Sequence, residues 1–452
     1  MTNAPVQSGC GRYKISASME LTPPIEMSDS YPPVLEEVAR LAGLPEVRAA
    51  FEWFRSQEAQ FAAWQMEAAR IAAPPFGEGA RGAWLAERFR ELGLGDVHVD
   101  EVGNVFGLQE NQRGPAHGKE PALGGQECPS HTIALSAHID TVFPATTPLN
   151  VRQQGSRLYG PGVSDNGAGI AAMLAVAAAI RAARLLHALP FVFIGNVGEE
   201  GEGDLRGMRH VFATPRWRDS IAYCVIVDGA GSDTVVAEAL GSRRFEVIVR
   251  GPGGHSWSDF GAPNPIIVLA RAIEAFRQTR VPAAPKTTFN VGVIRGGTSV
   301  NSIPESASMR VDLRSTSMTE IDRLERALRH AVDQAIEEEN RTAAEQGRRK
   351  AQALQSEVVA IGNRPAGELA ADTRILKVIR AVDAQLGNAA QVQRASTDAN
   401  IPLSLGREAI ALGGGGAGGG AHTLQEWFDS SGRDLGLRRI LLTMLALSGV
   451  GE

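Results

Sequence analysis

The chain is predicted to be an α/β protein, with a mostly parallel central sheet covered by helices and a smaller α+β unit inserted into it. Three observations predict this. Apolar strand-like runs alternate with helical segments, the pattern that builds a parallel sheet with crossover helices. At 452 residues the chain exceeds what one hydrophobic core organises, so two domains are expected. At about Gly241 the order changes to β-α-β-β-α, which suits a small inserted domain.

Residues up to about Ser30 are irregular and read as a loose arm. From Pro33 to Ile71 apolar residues recur at helical intervals (Leu35, Val38, Leu41, then Phe51, Phe54, Phe61, Trp64). After the break at Pro74-Pro75, Ala80 to Leu92 is an amphipathic helix stopped by Gly93 and Gly95. Asp96–Asp100 and Gly103–Leu108 read as paired strands, and Gly114 to Ser130 as a polar loop. A buried strand at Thr132–Leu135 follows, then a small-residue helix from Gly167 to about Arg184. Strands come next at Phe191–Val197 and Ala222–Val227. The inserted unit holds strands Phe245–Val249, Thr288–Ile294 and Ala307–Leu313, with helices Asn264–Thr279 and Thr319 to about Glu339. The charged stretch Glu337–Lys350 reads as a solvated helix end and link. A strand at Glu357–Ile361 and helices at Thr373–Leu386 and Asp434–Leu447 are expected to complete the first domain. The expected domains are thus an arm at 1–30, a main domain at 31–241 and 352–452, and an insert at 242–351.

Net charge is −6, from 45 basic and 51 acidic residues, with no basic stripe, so neither nucleic acid nor an anionic membrane is an expected partner. Three scattered cysteines make neither a disulfide framework nor a cysteine zinc motif. Met1 to Tyr31 lacks the apolar core of a signal peptide, and Ile170–Ile180 is too short to span a bilayer. A cytoplasmic location is the expectation.

The chemistry is expected where strands end. Leu135-Ser-Ala-His138-Ile-Asp140 delivers a histidine and an aspartate to one side of an extended segment. There His138 can bind a metal while Asp140 supports it. Asp165 opens a helix within Gly160-Pro-Gly-Val-Ser-Asp165-Asn-Gly, where it could equally be an N-cap. Glu199-Glu200 follows a buried strand, as an acidic turn or as a pair that needs a cation. Asp228 ends a further apolar run, and His422 follows a glycine run at Gly413–Gly420. Histidines and carboxylates without cysteine suit zinc, with manganese or cobalt as alternative metals. The donor count exceeds one open catalytic site and fits two ions better.

In these motifs and their order, the chain resembles the M20 metallopeptidases, which include peptidase T-like tripeptidases, carboxypeptidase G-type enzymes, aminoacylases and desuccinylases. Ser136-Ala-His138-Ile-Asp140, Gly162-Val-Ser-Asp165, Gly198-Glu199-Glu200 and His422-Thr-Leu-Gln-Glu426 carry the resemblance. It implies a zinc-peptidase-like catalytic domain with a ferredoxin-like lid and dimerisation domain. It implies two divalent ions, zinc foremost and cobalt or manganese next. One would be held by His138 and Asp228, the other by Glu200 and His422, with Asp165 bridging. Asp140 would orient His138, and Glu199 would be the general base. In Gly251-Pro-Gly-Gly-His255 it implies a histidine that reaches the substrate carbonyl across a homodimer. It also implies that Asn301 and Arg314 bind substrate. From the residues alone, His255 reads as a turn and Asn301 as a cap. The loop Ser396–Asn400 is expected near the site. The expected activity is hydrolysis of a small peptide, with N-acyl amino acid deacylation or a catalytically silent binding protein as rivals.

Overall fold

The computed structural model describes residues 32–110, 131–346 and 353–449. The expected N-terminal arm, the Gly114–Ser130 loop and the link as far as 352 from 347 lie outside them.

The strand Thr132–His138 is buried at every position and sits at the centre of the larger sheet. It pairs in parallel with Phe191–Asn196 on one side and Ile221–Val227 on the other. Ile221–Val227 in turn pairs in parallel with Glu408–Leu412. Strands covered on both faces have no solvent side, so they read as continuous apolar runs rather than alternating ones. At one edge of this nine-stranded sheet Gly95–Val99 and Val105–Gln109 are antiparallel; at the other, Thr234–Ala239 pairs antiparallel with Gly367–Glu368 and in parallel with Gln391–Ala395.

The helix Gly167–Ala182 is almost wholly buried against one face, beside Arg433–Ser448. The N-terminal helical region resolves into Pro32–Gly43, Pro45–Ser56 and Glu58–Ala69, which pack over the same core. The opposite face is covered by Arg206–Ala213, Pro215–Ser220 and Asn400–Ser404. The parallel strands all finish at one edge, where α/β sheets place their clefts.

The smaller sheet is antiparallel, in the order Thr287–Gly296, Ser306–Ser315, Gly241–Arg250, Gln355–Arg364. Helices Pro265–Arg277 and Met318–Glu345 cover one face, the second running further than its expected end near Glu339. Ala307, Met309, Val311 and Leu313 point to those helices, while Ser308, Arg310, Asp312 and Arg314 alternate to the other face.

One expectation is corrected here. The strand expected at Glu357–Ile361 does not rejoin the larger sheet; it is Gln355–Arg364, which pairs with Gly241–Arg250 from Gln355↔Arg250 to Arg364↔Ser242. The free edge of Gly241–Arg250 satisfies its backbone groups, and the chain regains the larger sheet only at Gly367. Among the described residues no helix is long and apolar enough to cross a membrane.

Candidate active site

The register of the parallel strands sets His138 beside Asn196, so the turns that follow them lie together. His138 is 1% exposed. Its Nδ1 lies 3.2 Å from the Asp140 carbonyl oxygen and 3.5 Å from Asp140 Oδ1, which leaves Nε2 facing outward. The Asp140 carboxylate also accepts the backbone N–H groups of Glu199 (3.0 Å) and Glu200 (2.8 Å). Asp140 therefore positions the adjacent acidic pair as well as the histidine.

The turn before Gly167–Ala182 answers the capping question. Asn166 is the N-cap, its Oδ1 accepting from Gly169 N at 3.0 Å. Asp165 is left free. Its Oδ1 lies 3.1 Å from His138 Nε2, and its Oδ2 lies 3.0 Å from His422 Nε2. Glu200 Oε1 is 3.0 Å from the same His422 nitrogen, and Asp228 Oδ1 is 3.7 Å from His138 Nε2. Two overlapping donor groups result, His138–Asp165–Asp228 and Asp165–Glu200–His422; in each, the donor atoms lie within 4.8 Å of one another. A third, His138–Glu199–Glu200, overlaps them.

This cluster concentrates negative charge, and the histidines respond. Burial disfavours a charged His138, yet hydrogen bonding with Asp140, Asp165 and Asp228 raises it well above the ordinary imidazole value. His422 is pushed up to about 10 by its hydrogen bonds with Asp165 and Glu200. The carboxylates demand positive charge, and the donor set of imidazole nitrogens and carboxylate oxygens without thiolate suits a borderline divalent cation. The residues fit such an ion.

Glu199 is buried, and burial pushes its carboxyl well above the usual carboxylate range, against the pull of Arg364 and His138. Arg364 Nη1 donates to Glu199 Oε1 at 2.8 Å, and Nη2 donates to the Glu199 carbonyl. Arg364 is the last residue of the small-sheet strand Gln355–Arg364. Its importance was invisible in the sequence, because that strand's partner is more than a hundred residues earlier. Asp398, expected only as part of a nearby loop, is fully buried and pushed up to about 7 by that burial. Its Oδ2 accepts from Asn196 Nδ2 at 2.6 Å, and Asn196 Oδ1 accepts from Ser136 Oγ at 2.6 Å. A buried polar chain thus runs beneath the strand ends. Ser136 and Asn196 interrupting apolar strands were the available signal for it.

Asp165, Glu199, Glu200, Asp228 and His422 line a cavity of about 210 Å³ together with Arg244, Arg314 and Arg364. Arg314, expected to bind substrate, does reach this cavity, where its Nε donates to Asp312 Oδ2 at 2.6 Å. His255 and Asn301 do not reach it within one chain. They are exposed at the tip of the small domain, on the paired segments Gly254–His255 and Ser302–Ile303 and the turn before them. The glycine run is ordered: Gly414 N donates to Gly229 O at 2.9 Å, and a Cβ on Gly413 would lie 2.5 Å from the Ala230 carbonyl oxygen. It packs against the loop that follows Asp228, so close backbone contact accounts for the glycines there.

A two-domain α/β fold gathers a carboxylate–histidine cluster with the donor set for divalent metal at its strand ends. The sequence profile of Peptidase family M20/M25/M40 matches residues 134–445, and the chain belongs to that family. It is 31% identical over 206 residues to a "probable carboxypeptidase" of Aspergillus clavatus, a match covering 40% of this chain and 44% of that one. It is 26% identical over 263 residues to the succinyl-diaminopimelate desuccinylase of Burkholderia vietnamiensis, covering 55% and 66%. The chain thus spans less than two thirds of the length of these relatives. In fold it is similar to the aminopeptidase PepT of Bacillus cereus, with TM-score 0.65, 18% identity and coverage of 87% and 99%. It is also similar to the YXEP protein of Bacillus subtilis, a dinuclear metal-binding peptidase, with TM-score 0.60, 14% identity and coverage of 88% and 100%.

Proposed function

We propose that this protein is a two-metal hydrolase that cleaves a peptide bond of a small peptide. The observation that carries the reading is Asp165, whose two carboxylate oxygens face different histidines, His138 and His422. In this reading His138 and Asp228 hold one ion, Glu200 and His422 the other, and Asp165 is shared. Zinc is the proposed metal, with cobalt or manganese as substitutes. When bound, two divalent cations offset the carboxylates, acidify water and polarise a carbonyl.

The chain's own residues do the rest. Asp140 fixes the His138 ring and the Glu199-Glu200 backbone together. Glu199 takes a proton from the attacking water on its carboxylate and passes it to the leaving amine. Arg364 holds that carboxylate in place and favours its charged form. Arg314 holds a substrate carboxylate.

We further propose a homodimer formed through the small domain, spanning roughly 242–351 together with the strand that follows. Trp257 (86% exposed), Phe260 (75%) and Ile294 (56%), all in the small domain, support this, because an interface would cover large apolar side chains left this exposed. In the dimer, His255 and Asn301 act at the partner's site. A second reading, removal of an acyl group from an N-acyl amino acid, is supported by the similarity to the Burkholderia desuccinylase. It uses the same residues and differs in the pocket.

The test is metal analysis of the chelator-stripped and refilled protein, with hydrolysis of di- and tripeptides and of N-acetyl and N-succinyl amino acids. Two metals per chain and peptide cleavage are expected. Cleavage of acyl amino acids alone moves the assignment to the second reading, and neither metal nor activity rejects both.

A further inference from the structure

The loop that carries Asp165 is held by a residue that no role has yet claimed. Glu426 lies four positions after His422 and is 0% exposed. Its Oε2 accepts the backbone N–H of Gly162 at 2.8 Å, and its Oε1 accepts those of Ser164 (2.7 Å) and Asp165 (2.8 Å). Its own carbonyl accepts the N–H of Gly160 at 3.0 Å. One residue of the His422 loop therefore accepts the backbone N–H groups of Gly160, Gly162, Ser164 and Asp165 in the turn that presents Asp165.

The other side of the turn is fixed separately. Gln65 Nε2 donates to Val163 O at 2.5 Å, and Gln65 Oε1 accepts from Arg433 Nη2 at 2.6 Å. Asn166 Nδ2 donates to Val227 O at 2.8 Å, and its Oδ1 accepts from Gly229 N at 3.0 Å, so it grips both neighbours of Asp228. Of these contacts, only those of Glu426 join the Asp165 loop to the His422 loop.

We infer that Glu426 is a positioning residue, a buried carboxylate that clasps the Asp165 turn to the His422 loop and so sets the distance between the shared ligand and the last histidine. This rests on the metal reading proposed above. The chemistry requires a carboxylate rather than any polar group of that size. Three N–H donors converge on two oxygens, and an amide would turn its own N–H groups toward at least one of them. Aspartate keeps the charge but falls a methylene short.

The experiment compares the full-length wild-type chain with Glu426→Gln and Glu426→Asp after chelator stripping. Zinc binding is followed by calorimetry and cobalt binding by visible absorption. Glu426→Gln is expected to weaken one of two metal-binding steps by roughly 10–100-fold, the usual effect of losing support behind a ligand. It should also alter the cobalt band, while the far-UV circular dichroism of the stripped protein stays as in wild type. Glu426→Asp is expected to fall between the two. If Glu426→Gln takes both metals with wild-type affinity and an unchanged cobalt band, the clasp is refuted. Should Glu426→Gln not fold, a wild-type zinc titration and cobalt band in Glu426→Asp refute it equally. A wild-type chain that binds no metal overturns the two-metal reading itself, an outcome distinct from both.

Discussion

Substituting Glu199 by glutamine separates its proposed chemistry from its place in the structure. The amide has the same shape, and its oxygen can still accept from Arg364 Nη1, which now lies 2.8 Å from Glu199 Oε1. What it loses is the ability to take a proton. General-base removal costs about 10²–10⁴-fold in rate, which corresponds to about 2.7–5.5 kcal/mol in activation free energy. A second effect follows from burial. The side chains of Arg364 and Glu199 are 7% and 8% exposed, so the variant leaves a guanidinium without its counter-charge. Weakening a buried charged hydrogen bond costs about 1–3 kcal/mol of stability. The expected variant therefore binds two metals, unfolds at a lower temperature, and loses kcat/KM by at least a hundredfold on the order of the lower bound above. Metal analysis, thermal unfolding and steady-state kinetics on a cleaved peptide measure the three quantities. A variant with both metals and activity within about tenfold of wild type would refute the role of Glu199.

Arg364→Met removes the guanidinium that opposes the upward pull of burial on Glu199. The carboxylate then deprotonates at higher pH, so the acid limb of the kcat/KM profile should move upward and the loss should be largest at low pH; an unshifted profile counts against this. Chelation should abolish activity and lower the unfolding temperature, and zinc at a thousand times its Kd should return about 4 kcal/mol of stability. Unfolding temperatures that do not respond to metal would contradict the cluster's reading. His255→Ala should lose turnover while keeping its metal. Mixing it with Glu199→Gln and allowing subunits to exchange should regenerate activity, because one mixed site has both groups. No recovery, with exchange demonstrated, would place His255 outside the partner's site.

Four of the clustered side chains were legible because they lie where an apolar run stops: His138 at the end of a fully buried strand, Asp228 after Ile221–Val227, Glu199 and Glu200 just after Phe191–Asn196. A charged residue at such a boundary has a local signal. The capping question at Asp165 could not be decided from sequence, since Asp165 and Asn166 are both competent caps and only the structure assigns that task to Asn166. Arg364 was out of reach for a different reason. Its strand has an ordinary local pattern, and which sheet it joins depends on an open edge at Gly241–Arg250. Asp398 is similar, because its surroundings come from Asn196 and the strand ends rather than from its own loop.

The strand Gln355–Arg364 links the small sheet to the acidic cluster. Nearly its whole length is bonded into the small sheet, yet its final side chain grips the residue proposed to move the proton. Asn363, one residue earlier, is itself pinned to the larger domain, its N–H donating to Asp204 Oδ1 at 2.8 Å and its carbonyl accepting from Arg209. The placement of Glu199 is thus referred to both sheets at once, and a substitution that shifts the small-sheet ladder is felt in the acidic pair although it touches neither residue.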